Sequence, residues 1–185
     1  MIEKNKIWGL VLGIVLCWGG WVDANEEIWL LVDTKSLRLY VKRGEKDLAV
    51  FDNISIGRRG VTQQKRQGDN KTPVGEFHIG WIKENSRYHR FFGLNYPTIP
   101  FVKYGQSAGL IDDQTFRSLL KANFEEVVPP QNTPLGGYIG IHGLGQADER
   151  IHGLFNWTRG CIALTNEQID QLSRWVEEGT RVVIR

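Results

Sequence analysis

Between residues 28 and 56 the chain runs in short apolar stretches broken by turn residues. Residues 28–32 (IWLLV) and 37–41 (LRLYV) flank Asp-Thr-Lys-Ser, and their β-branched and aromatic content predicts a hairpin. Residues 49–56 and 75–82 predict two further strands, separated by the polar segment GRRGVTQQKRQGDNKTP. The period then changes: within 109–124, Leu110, Phe116, Leu119 and Leu120 recur at helical spacing, and Pro129-Pro130 stops whatever precedes them. GGYIGIHG is a short strand leaving a glycine turn and ending on His142. Thr165 with Gln168 three residues on forms a capping box for a helix carried to about residue 178 by Ile169, Leu172 and Val176. Gly179 ends that helix, and RVVIR closes the chain as a strand. The pattern predicts a mainly β (α+β) domain, a curved sheet or sandwich with a few helices.

With 185 residues, 41% of them hydrophobic, the chain can bury one sizeable core, so residues 27–185 are expected to form one domain. A net charge of +2 without a dense basic run argues against nucleic acid as partner. The only internal echo is Ile141-His142-Gly143-Leu144 against Ile151-His152-Gly153-Leu154, too short for a repeat architecture.

Residues 1–24 read as an export signal: Lys4 and Lys6 precede an apolar stretch from 7 to 18, and Val22-Asp23-Ala24 offers a small-residue cleavage site. The alternative is an uncleaved N-terminal anchor that tethers the domain to a membrane, with Trp18 and Trp21 at the interface. Lipid attachment at Cys17 fits less well, because Leu16 stands where a small residue is expected. Each reading puts the domain outside the cytoplasm, in the periplasm or an equivalent space.

Cleavage after Ala24 would leave Cys161 as the one cysteine of the mature chain, with no partner for a disulfide. A lone thiol in an oxidising compartment is either a buried small hydrophobe or a reactive group. A thiol nucleophile needs a base, since its ordinary pKa of about 8.5 leaves little thiolate at neutral pH. His142 and His152, nineteen and nine residues upstream, are the candidates, and only His142 ends a predicted strand. The turn Thr158-Arg159-Gly160-Cys161 can aim backbone N–H groups at a developing oxyanion, and Gly160 lets substrate approach without a Cβ in the way. Together these suggest a Cys/His acyl-transfer site. His152 is expected on a surface loop flanking the cleft, and Trp157 as a cleft wall or core aromatic. His78 and His89 are expected in packing or surface roles, and the spacing of His142, His152 and Cys161 matches no familiar zinc pattern.

IGIHG followed by TRGCIAL resembles the catalytic signature of the YkuD-like L,D-transpeptidases, in which a strand-borne His-Gly precedes a [Ser/Thr]-x-Gly-Cys turn. NKTPVGEF, GLNYP and TPLGGYIGIHG are similar to further segments of that family, so the resemblance covers about residues 27 to 185. It implies Cys161 as nucleophile, His142 as general base and Gly143 as the carbonyl that orients the imidazole. It further implies Thr158 and Gly160 as the frame of the nucleophile turn, and neither a metal nor an organic cofactor. The implied reaction is acyl transfer through a thioester on peptidoglycan tetrapeptide stems, with an amine of a second stem or of a wall-attached protein as acceptor. The chain departs from the family's usual Ser-His-Gly-Cys-Ile-Arg: Arg159 and Ala163 stand at the variable positions. Arg159 could then read a substrate carboxylate. The Trp-Thr-x-Gly-Cys-Ile-Ala variant also resembles members that cleave bonds to stems, so a hydrolase that trims stems or detaches wall-linked protein is the alternative. A non-catalytic wall-binding module is the second alternative, for which an intact Cys161 and His142 would have no purpose.

Overall fold

The first hairpin forms where the apolar pattern puts it, and the chain then returns to it from its far end. The computed structural model describes residues 27–185; the expected export signal or anchor and Cys17 lie outside the described residues. β1 (Ile28–Asp33) pairs antiparallel with β2 (Arg38–Arg43), and β2 with β3 (Lys46–Phe51). A small parallel pair, β4 (Val61–Thr62) and β5 (Thr72–Pro73), closes the polar segment that follows. β6 (Gly75–Ser86) then runs twelve residues and turns at Arg87-Tyr88 into β7 (His89–Leu94).

Helices α1 (Ile99–Ser107) and α2 (Asp113–Phe124) come next, and β8 (Gly140–His142) returns the chain to the sheet. A one-turn helix α3 (Glu149–His152), β9 (Ile162–Ala163), α4 (Asn166–Leu172) and β10 (Arg181–Ile184) complete the fold. The order across the eight-stranded sheet is β3-β2-β1-β10-β6-β7-β8-β9. β10 lies parallel to β1 and antiparallel to β6, so the last strand joins the N-terminal meander to the half that carries the site.

Alternation along β1, β2, β6 and β10 sends Leu30, Val32, Leu39, Val41, Phe77, Ile79, Val182 and Ile184 into one core, where α4 adds Ile169 and Leu172. Burying a side chain of this size stabilises by roughly 1.5–3 kcal/mol relative to leaving it exposed. The helical unit has its own cluster of Val102, Ile111, Leu119 and Leu135. The Tyr96 hydroxyl donates to the Leu135 carbonyl at 2.7 Å, which satisfies both buried polar groups where this unit meets the sheet.

Mostly β with few helices is the observed architecture, in the form of an open sheet. The sequence reading lacks β4, β5, β7, α1, α3 and β9, and the strand it put at 49–56 is β3, which ends at Phe51. The capping box is present as expected, with Thr165 Oγ1 accepting from the Gln168 amide at 3.1 Å and Gln168 Oε1 from the Thr165 amide at 3.0 Å. The helix it starts ends at Leu172 and not near 178; Trp175 and Val176 pack on the core from the turns beyond it.

Candidate active site

Strand pairing brings the histidine and the cysteine to adjacent strands at one edge of the sheet. His142 ends β8, and β9 lies parallel to β8 with Ile162 opposite Ile141 and Ala163 opposite His142. Cys161 immediately precedes β9, so the ladder that fixes β9 also fixes the thiol. Both residues line one cleft of about 480 Å³, with Arg87, Tyr88, Trp157, Thr158 and Arg159. A larger groove of about 1240 Å³ runs between β6 and the helical unit, but it holds no nucleophile beside a base, so size does not locate the chemistry.

The His142 ring is buried and held on several sides. Its Nδ1 lies 2.6 Å from the Gly143 carbonyl. A carbonyl only accepts, so Nδ1 carries the hydrogen and Nε2 is left with the lone pair of a base. The Tyr88 ring stacks on the imidazole at 4.3 Å between centroids, Phe91 lies nearly parallel at 6.0 Å, and Trp157 meets it edge-on at 6.1 Å. Burial pushes the His142 pKa down to about 4, with the Arg87 and His152 charges adding to the shift and the Gly143 bond opposing it.

Cys161 shows the complementary shift. Burial of the thiol pushes its pKa up to about 11, against the pull of the Gly140 amide and of the Lys65 and Arg87 charges. Its Sγ–H donates to the Tyr138 carbonyl at 3.4 Å. Both shifts favour the neutral thiol and the neutral imidazole over a preformed ion pair.

The nucleophile turn is braced from inside and from behind. Thr158 Oγ1 donates to the Cys161 carbonyl at 2.7 Å and accepts from the Gly160 amide at 3.1 Å. The Thr158 backbone is tied to the 56–58 segment by bonds from its amide to Ile56 and to its carbonyl from Arg58. Gly160 has φ +131°, and a Cβ there would stand 2.8 Å from the Lys71 carbonyl, so only glycine fits. Because Thr158 engages the Gly160 amide, the N–H groups of the turn left to face an oxyanion are those of Arg159 and Cys161. Behind the turn, buried Lys65 is paired with Asp69 and donates to the Arg66 carbonyl at 3.2 Å.

Of the other sequence candidates, Trp157 and Arg159 line the cleft, and Arg159 is exposed. His152 does not. Expected on a surface loop at the cleft, it is instead on α3 and 5% exposed, with Nδ1 accepting from the Trp157 indole at 3.4 Å. Burial lowers its pKa, and its backbone carbonyl accepts from Ser55, so it supports Trp157 from behind and is no substrate ligand. His78 and His89 are exposed, His89 against Asp170 at 2.9 Å. No three His, Cys, Asp or Glu side chains gather into a metal-holding group among the described residues.

Arg87 and Tyr88 were not among the sequence candidates. They form the two-residue turn between β6 and β7, and the signal for them was the polar stretch KENSRYHR, 83–90, between Trp81-Ile82 and Phe91-Phe92.

A mostly β open sheet carrying a histidine on one strand and a cysteine on the neighbouring turn defines the class of domain. Residues 27–184 match the model of the YkuD family, the L,D-transpeptidase catalytic domain, and the chain belongs to that family. No curated protein sequence is a significant match. Among solved structures, the helical cell shape determining protein Pgp2 from Campylobacter jejuni is similar in fold, with a TM-score of 0.55 at 22% identity over 86% of this chain and 47% of that one. Bd1075 from Bdellovibrio bacteriovorus gives 0.52 at 18% over 86% and 48%, and the Enterococcus faecium L,D-transpeptidase C442S mutant 0.50 at 14% over 86% and 50%. The chain thus spans about half the length of these solved chains.

Proposed function

We propose that this protein is an exported cysteine acyltransferase that acts on peptidoglycan stem peptides. The observation that carries the reading is the placement of His142, its Nδ1 on the Gly143 carbonyl, and Cys161 in the lining of one cleft framed by the Thr158-braced turn. Nε2 of His142 takes the Cys161 proton as Sγ attacks the carbonyl of the third stem residue. The Arg159 and Cys161 amides stabilise the tetrahedral oxyanion. The imidazolium returns the proton to the departing D-alanine amine, leaving a thioester on Cys161. An amine from a second stem or from a wall-attached protein then attacks the thioester, gives its proton to His142 and frees the thiol. Export by the N-terminal segment, with or without retention as a membrane tether, brings the domain to this substrate.

The Trp157-Thr158-Arg159-Gly160-Cys161-Ile162-Ala163 sequence favours a second reading, in which water resolves the thioester and the enzyme trims stems. The fold likeness to a protein described as determining helical cell shape is compatible with either outcome. The test is incubation of the purified protein with disaccharide-tetrapeptide and mass spectrometry of the products. Cross-linked dimers plus D-alanine support transfer, tripeptide plus D-alanine supports hydrolysis, and unchanged substrate defeats both.

A further inference from the structure

The β6–β7 turn places a guanidinium, a phenol ring and the imidazole in one column, and the steps of the reaction given above leave the first two unused. The Arg87 guanidinium lies 4.6 Å from the Tyr88 ring centroid, and its Nη2 donates to the Tyr88 hydroxyl at 2.5 Å. Tyr88 in turn stacks on His142 at 4.3 Å, so the guanidinium is no more than about 9 Å from the imidazole. The column cannot drift, because the turn is pressed against the backbone beyond the histidine. A Cβ on Gly145 would meet the Arg87 carbonyl at 2.1 Å, and one on Gly143 the Tyr88 carbonyl at 2.8 Å. The Tyr88 amide also donates to Ser86 Oγ at 3.0 Å.

Arg87 forms no ion pair among the described residues, whereas Arg90 on the same hairpin is paired with Glu84 and Asp170. An arginine that lines a cleft without a carboxylate of its own is available to one brought by a ligand. Which one follows from the proton route. A leaving amine held by His142 Nε2 has the α-carboxylate of its own residue two bonds away, within the span between imidazole and guanidinium. Arg159 belongs to the nucleophile turn on the thiol side, and so faces the acyl half of the substrate.

Resting on the acyl-transfer reading, we infer that Arg87 is the specificity residue that binds the terminal carboxylate of the departing D-amino acid, and that Tyr88 is the positioning residue that holds both guanidinium and imidazole. The site would then select stems with a free C-terminal carboxylate, and cleave at the last peptide bond and not within a longer chain.

The test compares disaccharide-tetrapeptide with the same compound carrying a C-terminal amide, on wild type, Arg87→Gln and Arg159→Gln. The ratio of kcat/KM for acid over amide is expected to be about ten- to a hundredfold in wild type, the worth of a charge-assisted hydrogen bond. It should fall to near one in Arg87→Gln and persist in Arg159→Gln. Tyr88→Leu should lower kcat on both peptides, and Tyr88→Phe should restore kcat while keeping a reduced acid-to-amide ratio. Equal rates on the two peptides in wild type, or an undiminished ratio in Arg87→Gln, overturn the assignment while the acyl-transfer reading stands, since product still forms. No product from either peptide overturns both.

Discussion

Two opposite pKa shifts at neighbouring residues decide the resting chemistry of the site. Burial holds His142 near 4 and the Cys161 thiol near 11, so neither carries charge between those values. Alkylation by iodoacetamide, which is uncharged and reacts with thiolate, is expected to rise about tenfold per pH unit from pH 6 to 9 without a plateau. A plateau beginning near pH 5 would reveal a thiolate–imidazolium pair and contradict the neutral site. The same geometry ranks the two histidines. His142→Ala should nearly abolish acylation of Cys161 by a carbapenem. His152→Ala, which only removes the acceptor behind the Trp157 indole, should slow it several-fold at most, and intact-mass time courses on the two variants give the order.

At the scale of elements, the nucleophile turn stands on one hydroxyl. Thr158→Val keeps the shape but leaves the buried Gly160 amide without its acceptor and the Cys161 carbonyl without its donor, at a cost of about 1–3 kcal/mol. Acylation of Cys161 should fall along with the urea midpoint; an unchanged midpoint with full acylation would mean the turn is held by its ties to the 56–58 segment alone. This turn was legible in the sequence because TRGCIAL resembles the family's [Ser/Thr]-x-Gly-Cys motif; the lone cysteine by itself left a buried small hydrophobe open. β7 was not legible: Phe91 and Phe92 are adjacent and both buried, so the strand lacks the alternation that marks a one-faced strand. α1 was not legible because Pro97 and Pro100 flank its start and break the apolar pattern there, although Pro100 falls in the first turn, where no amide partner is needed. His152 shows a third kind of limit. Its backbone is held by Ser55, nearly a hundred residues away in sequence, a contact that no local pattern encodes.

Across the whole molecule, the buried imidazole links stability to pH. The unfolded chain binds a proton on each histidine near pH 6.5, while the folded protein resists protonating His142 until about pH 4. Below pH 6.5 the unfolded state therefore holds more protons, and stability falls with pH through the window from 6.5 to 4. For His142 alone the loss by pH 4 is about 3 kcal/mol, a large part of the few kcal/mol that separate folded from unfolded domains. Burial lowers the His152 pKa as well and adds to the loss in the same direction. The carboxylates of Glu76 and Asp170, held below their ordinary values chiefly by bonds to Arg181 and His89, act in a lower window, since their contribution is present above their unfolded pKa and fades only as pH drops beneath it. The two windows can be separated with His142→Asn, whose Nδ2 stands in the place of the imidazole Nδ1 and can still donate to the Gly143 carbonyl but binds no proton. Urea unfolding at pH 7 and pH 4.5 should show a smaller loss of stability in this variant than in wild type, by about 2–3 kcal/mol. Equal losses in the two proteins would mean that the imidazole is protonated within the fold as easily as in the open chain, and the neutral base assigned to the site would have to be given up.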